Sequence, residues 1–378
     1  MTFKKNTAQT YGFVAENSSS SRFIFCVFSA IFILIHESLL FIIQSIVKKF
    51  TLKPLPGDHL HLVQPQSLRI NYQQELNSAQ YEAVTSVNGP HLIIAGAGTG
   101  KTRTIVYRVA YLVELGVKPD SVLLLTFTRK AAQEMLRKAS ILLDSRCDQI
   151  SGGTFHSFAN SILRKYAGQL GYESNFTILD QTDAEDVINL IRTRQKLDMK
   201  EKRFPRKETI YDLYSRSLNT MMPVKELLAV DYPQFLEIET DIVALHDAYV
   251  KYKHEHNVMD YDDLLMNLAL LLRKNDAVRM ALSDRYKYIM VDEYQDTNRL
   301  QAEIVKLLAC RHQNLMVVGD DAQCIYSFRG STIRNILSFG KEFPGCKVIK
   351  LEENFRSTQP ILNLANEILL RGGKNLGE

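Results

Sequence analysis

The stretch His91-Leu92-Ile93-Ile94-Ala95-Gly96-Ala97-Gly98-Thr99-Gly100-Lys101-Thr102 sets a short apolar run against a glycine-rich turn, after which Lys-Thr opens a helical pattern. Glycines let the backbone curl so that successive N–H groups converge on phosphate oxygens, at the positive end of the following helix. In that arrangement Lys101 adds a point charge at the β- and γ-phosphates, and the Thr102 hydroxyl can hold Mg²⁺. The strict P-loop pattern has Gly where Ala95 stands, but Gly98, Gly100, Lys101 and Thr102 keep their places and the strand–loop–helix context is intact. The bland alternative is an ordinary glycine-rich strand–helix turn, and the retained residues argue against it. The stretch predicts a nucleoside triphosphate site in which Ala95, Gly96, Ala97, Gly98, Thr99, Gly100, Lys101, Thr102 and Arg103 surround the phosphates.

Around this stretch, 378 residues leave room for two or three domains, and 46% hydrophobic with 23% charged residues is a globular composition. A net charge of +4 is too small to argue for a polyanionic partner. Arg192 to Lys207 carries eight Lys/Arg against Asp198 and Glu201, the pattern of a solvated helix face first and of a nucleic-acid contact second. The five cysteines are scattered with no CxxC pair, so no disulfide framework or zinc site is implied and a reducing cytoplasm fits.

Residues 1–70 read as an N-terminal extension. Its segment Phe23 to Val47 is almost wholly apolar, broken by His36-Glu37-Ser38 and Gln44, and is long enough to span a bilayer. A charge near the centre of such a span costs about 2.5–3.5 kcal/mol on insertion scales, which the many Phe, Ile and Leu residues offset. A membrane anchor through 23–47 is the less favoured expectation beside a segment that contributes nothing to the fold. A cleaved export signal would part the triphosphate site from its ligand.

From Asn71 onward strands and helices alternate. Leu92–Ala95, Val122–Phe127, Tyr288–Val291 and Leu315–Val318 read as buried strands, with helices over Thr102–Leu115 and from Lys130 to about Leu143. Continuous apolar strands of this kind belong to a parallel sheet covered on both faces. Between about Leu163 and Asp284 helical periodicity takes over, as in Asp183–Arg194, Glu239–His256 and Asp262–Arg273. The expected architecture is an α/β fold with an inserted helical domain. In Tyr288-Ile289-Met290-Val291-Asp292-Glu293-Tyr294-Gln295-Asp296 an apolar strand delivers two carboxylates at its C-terminal edge, where open α/β sheets bind ligands. Asp292 would hold Mg²⁺ and Glu293 would polarise an attacking water, since phosphoryl transfer depends mostly on positioning and charge neutralisation.

These residues fall in an ordered set of blocks. They are Leu76-Asn77-Ser78-Ala79-Gln80, Ala95–Thr102, Thr126-Phe127-Thr128-Arg129-Lys130-Ala131-Ala132, Gly153-Thr154-Phe155-His156-Ser157-Phe158, Asp260-Tyr261-Asp262-Asp263-Leu264, Val291–Asp296, Gly319 to Gly330, and Glu353-Asn354-Phe355-Arg356-Ser357. Together they resemble the UvrD/Rep-type superfamily 1 DNA helicases, from about Asn71 to the C-terminus. The resemblance implies a P-loop RecA-like sheet, discontinuous over 71–165 and 285–349, with an inserted helical DNA-binding subdomain at 166–284. A second RecA-like domain would begin near Lys350 and stop at Glu378, which makes the chain the N-terminal part of a longer helicase with impaired unwinding.

The resemblance also implies roles. Gln80 would read the adenine edge, Phe355 would stack on adenine, and Gln323 and Arg356 would reach the γ-phosphate beside the catalytic Glu293 and Lys101. Phe127, Tyr326 and Phe328 match aromatics that meet successive bases of single-stranded DNA, and Arg129, Thr154, His156 and Arg329 match contacts to the strand. Phe328 stands where relatives commonly have Trp, and Arg129 where Asn is common. Asp262 and Asp263 read as capping charges of a Leu-rich helix and carry no catalytic expectation. The implied activity is ATP- and Mg²⁺-dependent 3′→5′ translocation with strand separation, acting on single strands and duplex junctions in repair or replication restart, alongside repair or replication proteins. Rival readings are a fragment that binds ATP and DNA without unwinding, and a membrane-tethered P-loop ATPase.

Overall fold

The computed structural model describes residues 68–197, 204–324 and 334–375. Eight strands are present among them: β1 (His91–Ala95), β2 (Val122–Thr126), β3 (Ser151–Thr154), β4 (Thr177–Ile178), β5 (Val258–Met259), β6 (Tyr288–Val291), β7 (Leu315–Gly319) and β8 (Lys347–Leu351). Six form one sheet in the order β3-β2-β6-β7-β1-β8, with every pairing parallel. Leu92 sits beside Val317 on one side and Val348 on the other, and Leu124 lies between Met290 and Gly152. The expected α/β architecture is the one adopted. Every residue of β2, β6 and β7 is buried, as strands covered on both faces must be.

The helices Lys101–Glu114 and Arg129–Leu142 bury Ile105, Val109, Leu112, Met135 and Ala139 against Ile93, Leu124, Met290, Met316 and Val318 of the sheet. Arg108, on the first of these helices, is 2% exposed and donates from Nη1 to the carbonyls of Ala83 and Ser86, both at 2.6 Å. Those carbonyls lie at the C-terminal end of the helix Ser78–Thr85, where Ser86 N–H already caps the Glu82 carbonyl at 3.0 Å. Arg108→Met should therefore leave buried carbonyls unpaired and lower the unfolding free energy by about 2–4 kcal/mol. Chemical denaturation reads this directly, and a change below about 0.5 kcal/mol would remove the clamp from the account.

Two strands of the six-stranded sheet were not visible as apolar runs. β3 is Ser-Gly-Gly-Thr, and a Cβ at Gly152 would lie 2.6 Å from Leu136 Cδ1, so the strand exists by close approach of a helix and not by side-chain burial. β8 alternates, with Ile349 and Leu351 in the core and Val348 half exposed, as suits an edge strand. The boundary expected near Lys350 falls inside β8, so 347–351 complete the first sheet. The helix Gln359–Asn375 follows.

Between β3 and β6 the chain builds the helical insertion. Helices Gln181–Arg194, Lys207–Thr220, Val224–Asp231 and Glu239–Glu255 close around Ile188, Ile210, Leu213, Ile242 and Leu245, with β4 paired to β5 at their base. The helix Tyr261–Lys274 instead packs between Phe155–Tyr166 and Arg299–Leu308. Its buried residues include Asn267 and Ala269 as well as Leu264, Leu265, Leu268, Leu271 and Leu272, an arc wider than the single stripe of a surface helix. The insertion's own core thus ends near Tyr252, and the last helices of the expected 166–284 segment lie on the sheet domain. No helix among the described residues is long and apolar enough to cross a membrane, and the 23–47 segment lies outside them.

Candidate nucleotide and nucleic-acid site

The C-terminal ends of β1, β6 and β7 meet at one edge of the sheet, and the chain's polar motifs leave from there. After Ala95 the turn carries Thr99 N–H and Oγ1 back to the Gly96 carbonyl, at 3.3 and 2.8 Å. Gly100, in the left-handed region, caps the helix Lys101–Glu114 without a side-chain bond, leaving the first-turn amides open to an anion. Lys101 Nζ reaches across the end of β7 to Glu293 Oε2 at 3.0 Å, with the lysine side chain 10% exposed. An ammonium and free helix amides therefore meet at one point, the donor set a triphosphate needs, with the Glu293 carboxylate facing them.

Glu293 is held in place by strain and by a neighbour. Its backbone lies in the left-handed region (φ 51°, ψ 48°), costing about 1–3 kcal/mol in a residue with a Cβ. Gln295, 1% exposed, donates from Nε2 to Glu293 Oε2 at 2.7 Å and accepts the Asp320 N–H on Oε1 at 3.0 Å. Asp320 in turn accepts Gln323 Nε2 at 2.5 Å. The ends of β6 and β7 are thereby tied together through side-chain amides.

Burial, with Glu293 beside it and Lys101 only partly offsetting, pushes the Asp292 carboxyl up to about 7. Burial and Glu293 likewise raise Asp296 to about 6. Among the described residues neither Asp292 Oδ1 nor Asp296 Oδ1 has a hydrogen-bond partner. Buried, unpaired carboxylate oxygens of this kind have the chemistry of a divalent-cation ligand, and Asp292 and Thr102 line the same recess.

The segment after β8 lies on the glycine turn. Phe355 N–H donates to Gly98 O at 2.9 Å and Asn354 Nδ2 to Ala97 O at 2.6 Å. Gly98 has φ +83°, and a Cβ there would come within 2.7 Å of Arg356 Cβ, so only glycine admits this contact. Phe355 is 60% exposed and Arg356 is exposed beside it. Gln80, expected at the adenine edge, is 2% exposed, with Nε2 on Thr99 O at 3.1 Å and Oε1 on Asn77 N–H at 3.4 Å. Its carboxamide is engaged in the turn and in a capping box. Arg103 pairs with Glu75 Oε2 at 3.0 Å and lies 4.6 Å over the Tyr107 ring.

A cleft of about 740 Å³ runs between the insertion and the sheet edge, lined by Phe127, Thr154, His156, Tyr261, Asn219 and Asn298 among others. A recess of about 600 Å³ adjoins it, lined by Thr102, Glu134, Lys138, Gln295 and Gln323. Phe127, Asp292, Glu293 and Asp296 border both. Phe127 is 39% exposed, and Arg129 opens the helix beside it, exposed. Thr154 caps the helix Phe155–Tyr166 by accepting Ser157 N–H at 3.2 Å. Burial lowers the His156 imidazole below its ordinary range, and the ring stands edge-on to Tyr261 with centroids 6.1 Å apart. Tyr326, Phe328 and Arg329 lie outside the described residues. Sequence reasoning gave no role to Gln295, Asp320 or Tyr261, although all three stand in blocks quoted above; their buried or cleft-lining positions are the signal that picks them out.

A sequence model of the UvrD/REP helicase N-terminal domain matches residues 76–344. A protein of Staphylococcus aureus described as ATP-dependent DNA helicase PcrA is 41% identical over 296 residues, covering 78% of this chain and 40% of that protein. One of the same description from Staphylococcus epidermidis is 40% identical over 298 residues, with the same coverage. The chain thus spans about 40% of the length of the curated relatives it matches. With the triphosphate turn, the paired carboxylates and the cleft beside them in the order this family carries them, the chain belongs to the UvrD/REP helicase family.

Proposed function

We propose that this chain binds ATP with Mg²⁺ at Gly96–Thr102 and single-stranded DNA in the 740 Å³ cleft, and that ATP use drives 3′→5′ movement and strand separation at duplex junctions. The observation that carries the reading is the shared wall, in which Phe127, Asp292, Glu293 and Asp296 border both the cleft and the recess. A strand stacked on Phe127 and a triphosphate held by Lys101 would touch the same few residues, which is what coupling of DNA to hydrolysis requires. Relatives described as ATP-dependent DNA helicases support it.

In this reading Mg²⁺, held by Thr102 and Asp292, neutralises phosphate charge. Lys101 and the turn amides bind the phosphates, Glu293 orients the attacking water, and Gln323 and Arg356 reach the γ-phosphate. Phe355 offers its exposed ring to adenine. Gln80 would have to leave Thr99 O to read the base edge. Arg129, Thr154 and His156 join Phe127 along the strand, with Tyr326, Phe328 and Arg329 completing the set. The setting is cytoplasmic DNA repair or replication restart, with repair or replication proteins as partners.

The test is ATPase activity of the full chain with and without single-stranded DNA, together with Phe127→Ala. Loss of one base-stacking platform should weaken oligothymidylate binding by about 1–3 kcal/mol, roughly 5- to 150-fold. Affinity for a non-hydrolysable ATP analogue should stay within about twofold, because Phe127 makes no phosphate contact in this reading. Unchanged DNA affinity would take the cleft out of the DNA path.

A further inference from the structure

We propose that Asn219 is a positioning residue that couples the inserted helices to the Glu293 turn, so that DNA lying in the cleft and nucleotide at the P-loop sense one another. This rests on the assignment of the two ligands given above.

Asn219 sits in the last turn of the helix Lys207–Thr220, on the insertion. Its Nδ2 donates to Asp262 Oδ1 at 2.9 Å and to Ser215 O at 2.9 Å, and its Oδ1 accepts Asn298 Nδ2 at 2.6 Å. A carboxamide has two N–H donors and one acceptor oxygen, so both ends of this one are in use. Asn298 belongs to the sheet domain. It caps the helix Arg299–Leu308 through Gln301 N–H at 2.8 Å, and its carbonyl accepts Asn335 Nδ2 at 3.2 Å. Asn335 also donates to Thr297 O at 2.9 Å, and Thr297 Oγ1 donates to the carbonyl of Tyr294, the residue after Glu293, at 2.6 Å.

The chain of bonds therefore starts on the insertion and ends one residue from the carboxylate paired with Lys101. Asn219, Asp262 and Asn298 all line the 740 Å³ cleft, so a strand there lies on the bridge itself. Asn335 lies in the first turn of the helix Arg334–Glu342, the next described element after the Tyr326–Arg329 stretch. Asn298 thus joins three pieces: the insertion, the Glu293 turn and that helix. The amide-to-amide contact between Asn219 and Asn298 suits the task because it is directional and uncharged, so a small shift of the insertion changes its geometry without separating an ion pair.

The experiment measures the linkage between the two ligands in the full chain. The dissociation constant of a fluorescein-labelled oligothymidylate is taken with and without Mg²⁺–ATPγS, alongside that of ATPγS alone. Unmodified protein should show about a tenfold change in DNA affinity on adding nucleotide. Asn219→Asp and Asn219→Leu should each cut that factor below about twofold, while ATPγS alone binds within about threefold of normal. The exchange Asn219→Asp with Asp262→Asn reverses donor and acceptor across the same bond and should restore the linkage, which a merely structural role for Asn219 does not require. Full linkage in both single variants, or no recovery in the double exchange, overturns the proposal. So does unmodified chain that binds both ligands without linkage, whereas failure to bind either ligand overturns the ligand assignment beneath it.

Discussion

Lys101→Ala is expected to weaken ATP binding by about 30- to 1000-fold, the range for truncating one member of a close, desolvated charge pair. The side chain is 10% exposed and stands 3.0 Å from Glu293. No other lysine or arginine lines the glycine turn from its own helix in the same way, because Arg103 is turned outward to Glu75 and Tyr107. The fold itself should survive. Glu293 is one-third exposed and keeps Gln295 as a donor, so the change in unfolding free energy should stay below about 1 kcal/mol. Isothermal calorimetry with a non-hydrolysable analogue, paired with thermal unfolding, separates the two effects. Normal affinity in a folded variant would detach the triphosphate from this turn.

Glu293→Gln should do the reverse, sparing binding and removing turnover. The carboxamide occupies the same volume and can still accept from Gln295 Nε2, now 2.7 Å away, but it can no longer hold a proton from water. General-base loss of this kind lowers the chemical step by about 100- to 10,000-fold. ATP affinity should change by less than about threefold, since the lost pairing with Lys101 frees that ammonium for the phosphates. Single-turnover hydrolysis in the presence of single-stranded DNA, measured beside analogue affinity, is the required pair of readings. A rate within threefold of normal would move the water-activating role to another carboxylate, with Asp296 the nearest candidate by its unpaired buried oxygen.

The difference between the two variants follows from local geometry that is only partly written in local sequence. The glycine turn could be read directly: an apolar strand, glycines that permit the curl, and Lys-Thr at the helix start are consecutive residues. β2, β6 and β7 were legible for the same reason, each being a run of buried residues that no other setting accommodates. Asp292 and Glu293 came with their strand. β3 was not legible, because Ser-Gly-Gly-Thr offers no hydrophobic pattern and owes its place to the approach of Leu136. The boundary expected near Lys350 cuts through β8, since an edge strand with only Ile349 and Leu351 in the core looks the same whichever sheet receives it.

The chain's own sequence determined the phosphate turn, the order of strands and helices, and the family, because short-range backbone demands and side-chain periodicity are properties of neighbouring residues. Tertiary structure alone decided that Gln80 is spent on Thr99 and that Asn354 and Phe355 rest on the turn. It alone decided, too, that Gln295 joins the ends of two strands and that Asn219, on the inserted helices, meets Asn298. Those contacts are single hydrogen bonds between polar side chains far apart along the chain, and a lone amide leaves no periodic trace by which its partner could be foretold.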